Sequence, residues 1–296
     1  LRDVRPNWSM RRRTHTMTPR AIEIGSAAIG AGPLALIAGP CALEDEATAL
    51  TIAETVRDIA SRLGMPFVFK ASYLKDNRMS AGSYAGPGIE GGLEILSRVR
   101  SEAGVPVISD VHERSEVEPA AEVLDAIQIP AFLCRQTRLL AAAARTGKPV
   151  NIKKGQFIAP DSMARIAAKA VEAGNDRILL TERGTSFGYN NLVVDMRSIE
   201  IMKRTGFPVV FDVTHSVQLP GADSGTSGGQ PEFVPVLARA ACAAGCDALF
   251  VETHPDPASA LSDAASMIPL EELEALLTGV AAIADAYRSA GGRDDA

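Results

Sequence analysis

The 296-residue chain contains no CxxC pair; its four cysteines stand at 41, 134, 242 and 246. That spacing suggests a reducing compartment and not a disulfide scaffold. No apolar run reaches the roughly 18 residues that a membrane-crossing helix needs, so no membrane partner is expected. Positive charge is not in excess either. Lysine and arginine number 30 against 36 acidic residues, a formal net charge of −6, which argues against general affinity for nucleic acid. An anionic ligand must therefore be held by a local basic cluster. No glycine fingerprint follows the first apolar run, as an open dinucleotide-binding sheet would require.

What is present is a rhythm. The chain is 46% hydrophobic, enough for one large core. Strand-like apolar runs fall at 34–38, 66–69, 106–109, 126–129, 150–152, 177–180, 208–211 and 248–251. Between and after them lie segments of helical spacing at 46–63, 89–103, 115–123, 135–146, 160–173, 194–205, 232–245 and 269–288. Several are closed by glycine, at Gly147, Gly174, Gly206 and Gly245. Eight alternating units in about 250 residues predict an α/β fold, a closed (β/α)8 TIM barrel over 18–296. Residues 21–29 read as a short N-terminal β-hairpin plugging its lower end. Residues 1–17 read as a disordered extension, with Met17 a plausible start. Arg11–Arg13 before an apolar stretch loosely imitates a signal peptide, but Glu23 and Pro33 interrupt it.

In such barrels the functional face lies where the strands end in their C-terminal direction. Every predicted strand here ends in polar chemistry, which points to an enzyme. Strand 1 ends at Cys41, strand 7 at His215 and strand 8 at Glu252, with Asp263 shortly after. Closure makes strands 7, 8 and 1 neighbours, so these four converge as a candidate metal site. Thiolate and imidazole suit zinc or iron, and carboxylates also admit manganese or cobalt. Opposite them lie Lys70, Lys75, Arg78, Lys154 and Arg183, a cationic group suited to several phosphates. The glycine-rich stretch 221–229 follows strand 7 and reads as a mobile lid. Cys134, Cys242 and Cys246 read as packing, and His112 and His254 as hydrogen-bonded supports.

The stretches IAGPCALE (37–44), FKAS (69–72), KDNR (75–78), SDVHE (109–113), IQIPAFLCRQT (127–137), NIKKGQF (151–157), LTERGTSFGYNNLVVDMR (180–197), FDVTHSVQLPG (211–221), VETHPDP (251–257) and ALSDA (260–264) cover nearly the whole barrel. Together they closely resemble the 3-deoxy-D-manno-octulosonate-8-phosphate synthases. The resemblance implies condensation of phosphoenolpyruvate with arabinose 5-phosphate, releasing inorganic phosphate, in a cytoplasmic homotetramer that serves lipopolysaccharide precursor synthesis. Cys41 stands where the metal-dependent members carry their thiolate, so a divalent Zn, Fe, Mn or Co cofactor is implied, held by Cys41, His215, Glu252 and Asp263. The phosphoenolpyruvate groups correspond to Lys70, Ser72, Lys75, Gln128, Lys154 and Arg183, and the pentose phosphate contacts to Asn77 and Arg78. Lys70, Lys75, Lys154 and His215 are the catalytic candidates. The sequence departs from the family pattern at Met79, Gly82 and Ala85, where serine, histidine and arginine are usual. Three rivals are weighed: the related heptulosonate 7-phosphate synthase using erythrose 4-phosphate, a Schiff-base aldolase through Lys153 or Lys154, and a non-catalytic phosphosugar-binding paralogue.

Overall fold

The structure, a computed structural model, describes residues 20–30, 32–76, 82–223 and 226–291. Eight parallel strands form the barrel wall: β1 Ala35–Gly39, β2 Phe67–Lys70, β3 Val107–Asp110, β4 Ala126–Ile129, β5 Val150–Lys153, β6 Ile178–Glu182, β7 Val209–Asp212 and β8 Ala248–His254. Each pairs with the next, and β8 pairs with both β7 and β1, closing the sheet on itself. All eight strands are buried along their length. That explains why they read as continuous apolar runs and not as alternations.

Helices follow the strands: α1 Glu46–Arg62, α2 Gly88–Glu102, α3 Arg114–Val123, α4 Thr137–Arg145, α5 Met163–Glu172, α6 Arg197–Lys203, α7 Val234–Ala243 and α8 Leu273–Ser289. The first shows the local logic. Asp45 caps α1 by accepting the Thr48 N–H at 2.8 Å. Ile52, Val56 and Ile59, at helical spacing, then bury one face against the barrel wall.

Two apolar cores result. The outer one fills the space between strands and helices. The inner one joins alternate strand residues, Ile37, Val68, Ile108, Leu179, Val210 and Phe250 among them, to Ile22, Ile24, Ala27 and Ile29. These last four belong to the antiparallel pair Ile22–Ile24 and Ala27–Ile29. The expected hairpin thus forms and seals the lower end. Burying each of its isoleucines is worth roughly 1.5–3 kcal/mol.

One glycine fixes the geometry of the mouth. A Cβ on Gly39 would stand 2.1 Å from the Lys70 carbonyl oxygen. Its absence lets the end of β1 approach β2 closely enough for Ala42 to bridge Ser72. Of the stretch 221–229, read above as a lid, residues 224 and 225 lie outside the described residues. Gln218–Asp223 and Thr226–Gly229 pair as an antiparallel ribbon beside the mouth, with Gln218 opposite Gly229 and Leu219 opposite Gly228. The N-terminal extension 1–17, Asn77, Arg78 and Met79 lie outside the described residues.

Candidate active site

Two groups of side chains meet at the C-terminal mouth. On one side, Cys41, Glu252 and Asp263 each offer a ligand atom, all within 4.8 Å of one another. Their convergence follows from strand register: Glu252 pairs with Gly39, which places β8's carboxylate beside the β1 end that leads to Cys41. His215 begins the turn after β7, and its Nε2 lies 3.6 Å from Glu252 Oε1 and 3.9 Å from Asp263 Oδ2. Its other ring nitrogen lies 2.9 Å from Asp212 Oδ2, which fixes the orientation of the ring. The donor set fits a cation. Burial, then Asp263 and Glu252, push the Cys41 thiol up, against the pull of Lys75 and Lys70. Glu252 Oε2 is buried without a hydrogen-bond partner among the described residues. A divalent ion would relieve both conditions, since it takes a thiolate and satisfies the idle carboxylate oxygen.

On the other side is a cavity of about 160 Å³ lined by Lys70, Lys75, Asp110, Gln128, Lys153, Arg183, His215 and Asp263. Lys70, at the end of β2, is nearly fully buried and donates to Glu252 Oε1 at 3.1 Å, Ser72 Oγ at 3.0 Å and the Cys41 carbonyl at 3.1 Å. Burial opposes a charge on Lys75, but Cys41, Glu252, Asp110 and Asp263 around it raise its pKa. Arg183 donates through Nη2 to Gln218 at 2.9 Å. Its Nη1 is buried with no partner among the described residues, a donor waiting for an anion. Gln128 is held from behind by Asn151, whose amide donates to Gln128 Oε1 at 3.0 Å. Ser72 lies beneath the cavity and donates to Asp110 at 2.6 Å.

The sequence reading placed Lys154 in the cationic group and kept Lys153 as a Schiff-base alternative; in the structure Lys153 lines the cavity. Lys154 is fully buried on the outer side of the wall, donating to the Gly184 carbonyl and to Thr185 Oγ1 at 3.1 Å each and pairing with Glu182 at 3.3 Å. It does not line the cavity. Successive residues of a strand point to opposite faces, so it is Lys153 that reaches inward. Lys153 forms an ion pair with Asp212 and stands 4.1 Å above the centre of the Phe250 ring. Burial lowers its pKa, partly offset by Asp212. Asp110, not among the candidates from sequence, also lines the cavity. Burial opposes its charge, but Lys70 and a hydrogen bond from His112 hold its carboxyl well below the usual range. His112 lies 3.3 Å from Asp110 and 3.5 Å from Glu116, the supporting role foreseen for it. Cys134, Cys242 and Cys246 are buried free thiols.

The model of the DAHP synthetase I family matches residues 16–287. The chain belongs to the DAHP synthetase I family. Among curated members, the 2-dehydro-3-deoxyphosphooctonate aldolase of Acidithiobacillus ferrooxidans is 60% identical over 234 residues, 79% of this chain and 83% of the relative. That of Syntrophotalea carbinolica is 59% identical over 240 residues, 81% of this chain and 87% of the relative. That of Geotalea uraniireducens is 58% identical over 240 residues, 81% and 88% of the two chains. The DAHP synthetase I family match runs past both ends of the barrel wall, so it takes in the hairpin and every strand end that builds the site.

Proposed function

We propose that the chain condenses phosphoenolpyruvate with arabinose 5-phosphate to give 3-deoxy-D-manno-octulosonate 8-phosphate and inorganic phosphate. The observation that carries this reading is the cavity in which Lys70, Lys75, Lys153 and Arg183 face the Cys41, Glu252 and Asp263 cluster. The names of the relatives support it. In the reaction a carbon–carbon bond forms between C3 of phosphoenolpyruvate and the aldehyde carbon. Water adds at C2 and phosphate leaves, so one water is consumed for each phosphate released.

The cationic side chains neutralise the carboxylate and phosphate of phosphoenolpyruvate. Held by the barrel wall, they bring it within reach of the aldehyde, which converts a bimolecular encounter into an oriented one. Arg183 Nη1 is poised for an anionic oxygen, and Gln128, braced by Asn151, offers an amide. Asn77 and Arg78 remain the proposed contacts of the sugar phosphate. Cys41, His215, Glu252 and Asp263 would hold a divalent Zn, Fe, Mn or Co ion, with Lys70 bracing Glu252. When bound, that ion supplies Lewis acidity to a carbonyl or a water.

A homotetramer is part of the proposal. Phe132, Phe157, Phe187 and Tyr189 are more than half exposed on the loops of the mouth, an apolar surface that association would cover. A cytoplasmic setting in lipopolysaccharide precursor synthesis completes it, in keeping with the four free thiols. Light scattering tests the assembly. Mass spectrometry of a reaction with both substrates tests the chemistry, by an eight-carbon phosphorylated acid appearing in step with phosphate; phosphate without that acid would refute the condensation.

A further inference from the structure

Glu44 lies outside both the cavity and the metal cluster, yet it touches both ends of the loop that leads to Asp263. Its Oε1 accepts the Leu261 N–H at 2.8 Å. Its Oε2 stands 3.7 Å from His254 Nε2, a buried nitrogen with no hydrogen-bond partner among the described residues. His254 closes β8, and its Nδ1 accepts the Asp256 N–H at 3.1 Å. One carboxylate therefore spans the entry and the exit of 255–261.

Glu44 stands on firm ground. Ala42 bridges Ser72, and Leu43 donates its N–H to the Ser72 carbonyl at 2.9 Å. Tyr84 donates its hydroxyl to the Leu43 carbonyl at 2.8 Å, and the next residue, Asp45, caps α1. The far side of the loop is the part under constraint. Ser262 Oγ lies 2.8 Å from Cys41 Sγ, and Asp263 Oδ2 lies 3.1 Å from the same sulfur. Asp263 reaches that position with φ at 50°, a left-handed backbone that residues other than glycine seldom adopt. Such a conformation persists only where its surroundings over-determine it.

We propose that Glu44 is a positioning residue: it latches the loop 255–261 onto the β1 end and so presents the Asp263 carboxylate to the cation site. The proposal rests on the reading of Cys41, His215, Glu252 and Asp263 as ligands. A loop released from the latch populates the competent geometry only part of the time, and apparent affinity falls by that fraction. Removing a group that hydrogen-bonds a ligand typically lowers metal affinity about ten- to a hundredfold, and a latch that acts through the loop carrying Asp263 is expected to fall in the same range.

The test uses the full chain, stripped of metal, as wild type, Glu44→Ala, Glu44→Gln and Glu44→Asp. Zinc affinity is measured by competition with a chromophoric chelator, and exchange of the Leu261 amide by hydrogen exchange. Glu44→Ala should bind zinc about ten- to a hundredfold more weakly and exchange Leu261 faster. Glu44→Gln keeps an oxygen for that amide and should recover most of both losses. Glu44→Asp, one methylene short of both contacts, carries the test should Glu44→Ala fail to fold: it should lose zinc affinity and Leu261 protection together, and wild-type values of both would overturn the latch. Zinc affinity equal to wild type in Glu44→Ala would overturn the latch, as would lost affinity with Leu261 protection unchanged. Should the wild type itself bind no zinc, the ligand reading fails. The latch is then decided by exchange alone, supported by faster exchange of Leu261 and overturned by unchanged exchange.

Discussion

Replacing Lys153 with methionine takes from the cavity a cation that faces Asp212 and covers the Phe250 ring. A charge-assisted hydrogen bond to a bound anion is worth roughly 1.5–3 kcal/mol, so phosphoenolpyruvate affinity should fall about ten- to a hundredfold. Lys154→Met should leave the cavity's own cations in place. Its ammonium sits among the Gly184 carbonyl, Thr185 and Glu182, away from the cavity. Breaking a buried ion pair costs about 3–5 kcal/mol. The low end applies here, because Glu182 Oε1 still accepts the backbone N–H groups of Arg183 and Gly184 at 3.0 and 2.7 Å. A loss of about 3 kcal/mol lowers Tm by roughly 6–12 °C in a domain of this size. Steady-state kinetics and thermal unfolding on both variants separate the cases. Lys153→Met should raise the KM for phosphoenolpyruvate, and Lys154→Met should lower Tm with KM nearly kept. Retained KM in the first and a raised KM in the second would refute the assignment of the two faces.

Cys41→Asn should keep its fold by circular dichroism and lose bound metal by elemental analysis; metal retained at wild-type stoichiometry would contradict the thiolate's place in the ligand set. Gly39→Ala should cost about 3 kcal/mol or more in denaturant unfolding, because its Cβ would meet a backbone oxygen at 2.1 Å; a cost under about 1 kcal/mol would mean that β1 and β2 can part. Although burial favours the neutral ring, hydrogen bonds to Asp110 and Glu116 push His112 up to about 9, from 6.5. Its stabilisation is therefore complete below pH 6.5 and lost as pH rises through about 9. The stability gap between wild type and His112→Gln should narrow by about 3 kcal/mol over that window, and a constant gap would refute the charged imidazole.

Much of this was legible in the chain because burial writes itself into composition. Strands covered on both faces appear as unbroken apolar runs, and their polar ends mark the mouth. Closure of the barrel then brings Cys41, Glu252 and Asp263 together without any local motif. The same burial hides phase: with no alternation in Val150–Lys153, nothing local says which of two adjacent lysines turns inward. That depends on register, here Lys153 opposite Thr181. The pairing of Gln218–Asp223 with Thr226–Gly229 was not legible, because it rests on main-chain hydrogen bonds, to which side-chain composition is a poor guide. Asp110 was not among the candidates, since a carboxylate facing a cavity for anions gains its place from His112 and Lys70 across the fold.

The central claim is that one mouth joins phosphoenolpyruvate to a five-carbon phosphosugar with the help of a bound cation. The most direct measurement is phosphate release from phosphoenolpyruvate with arabinose 5-phosphate and with erythrose 4-phosphate, on metal-free protein and after adding zinc, iron, manganese or cobalt. The account predicts release that depends on metal, with the higher specificity constant for arabinose 5-phosphate. Full activity in protein shown by elemental analysis to hold no metal, or a higher specificity constant for erythrose 4-phosphate, would contradict it.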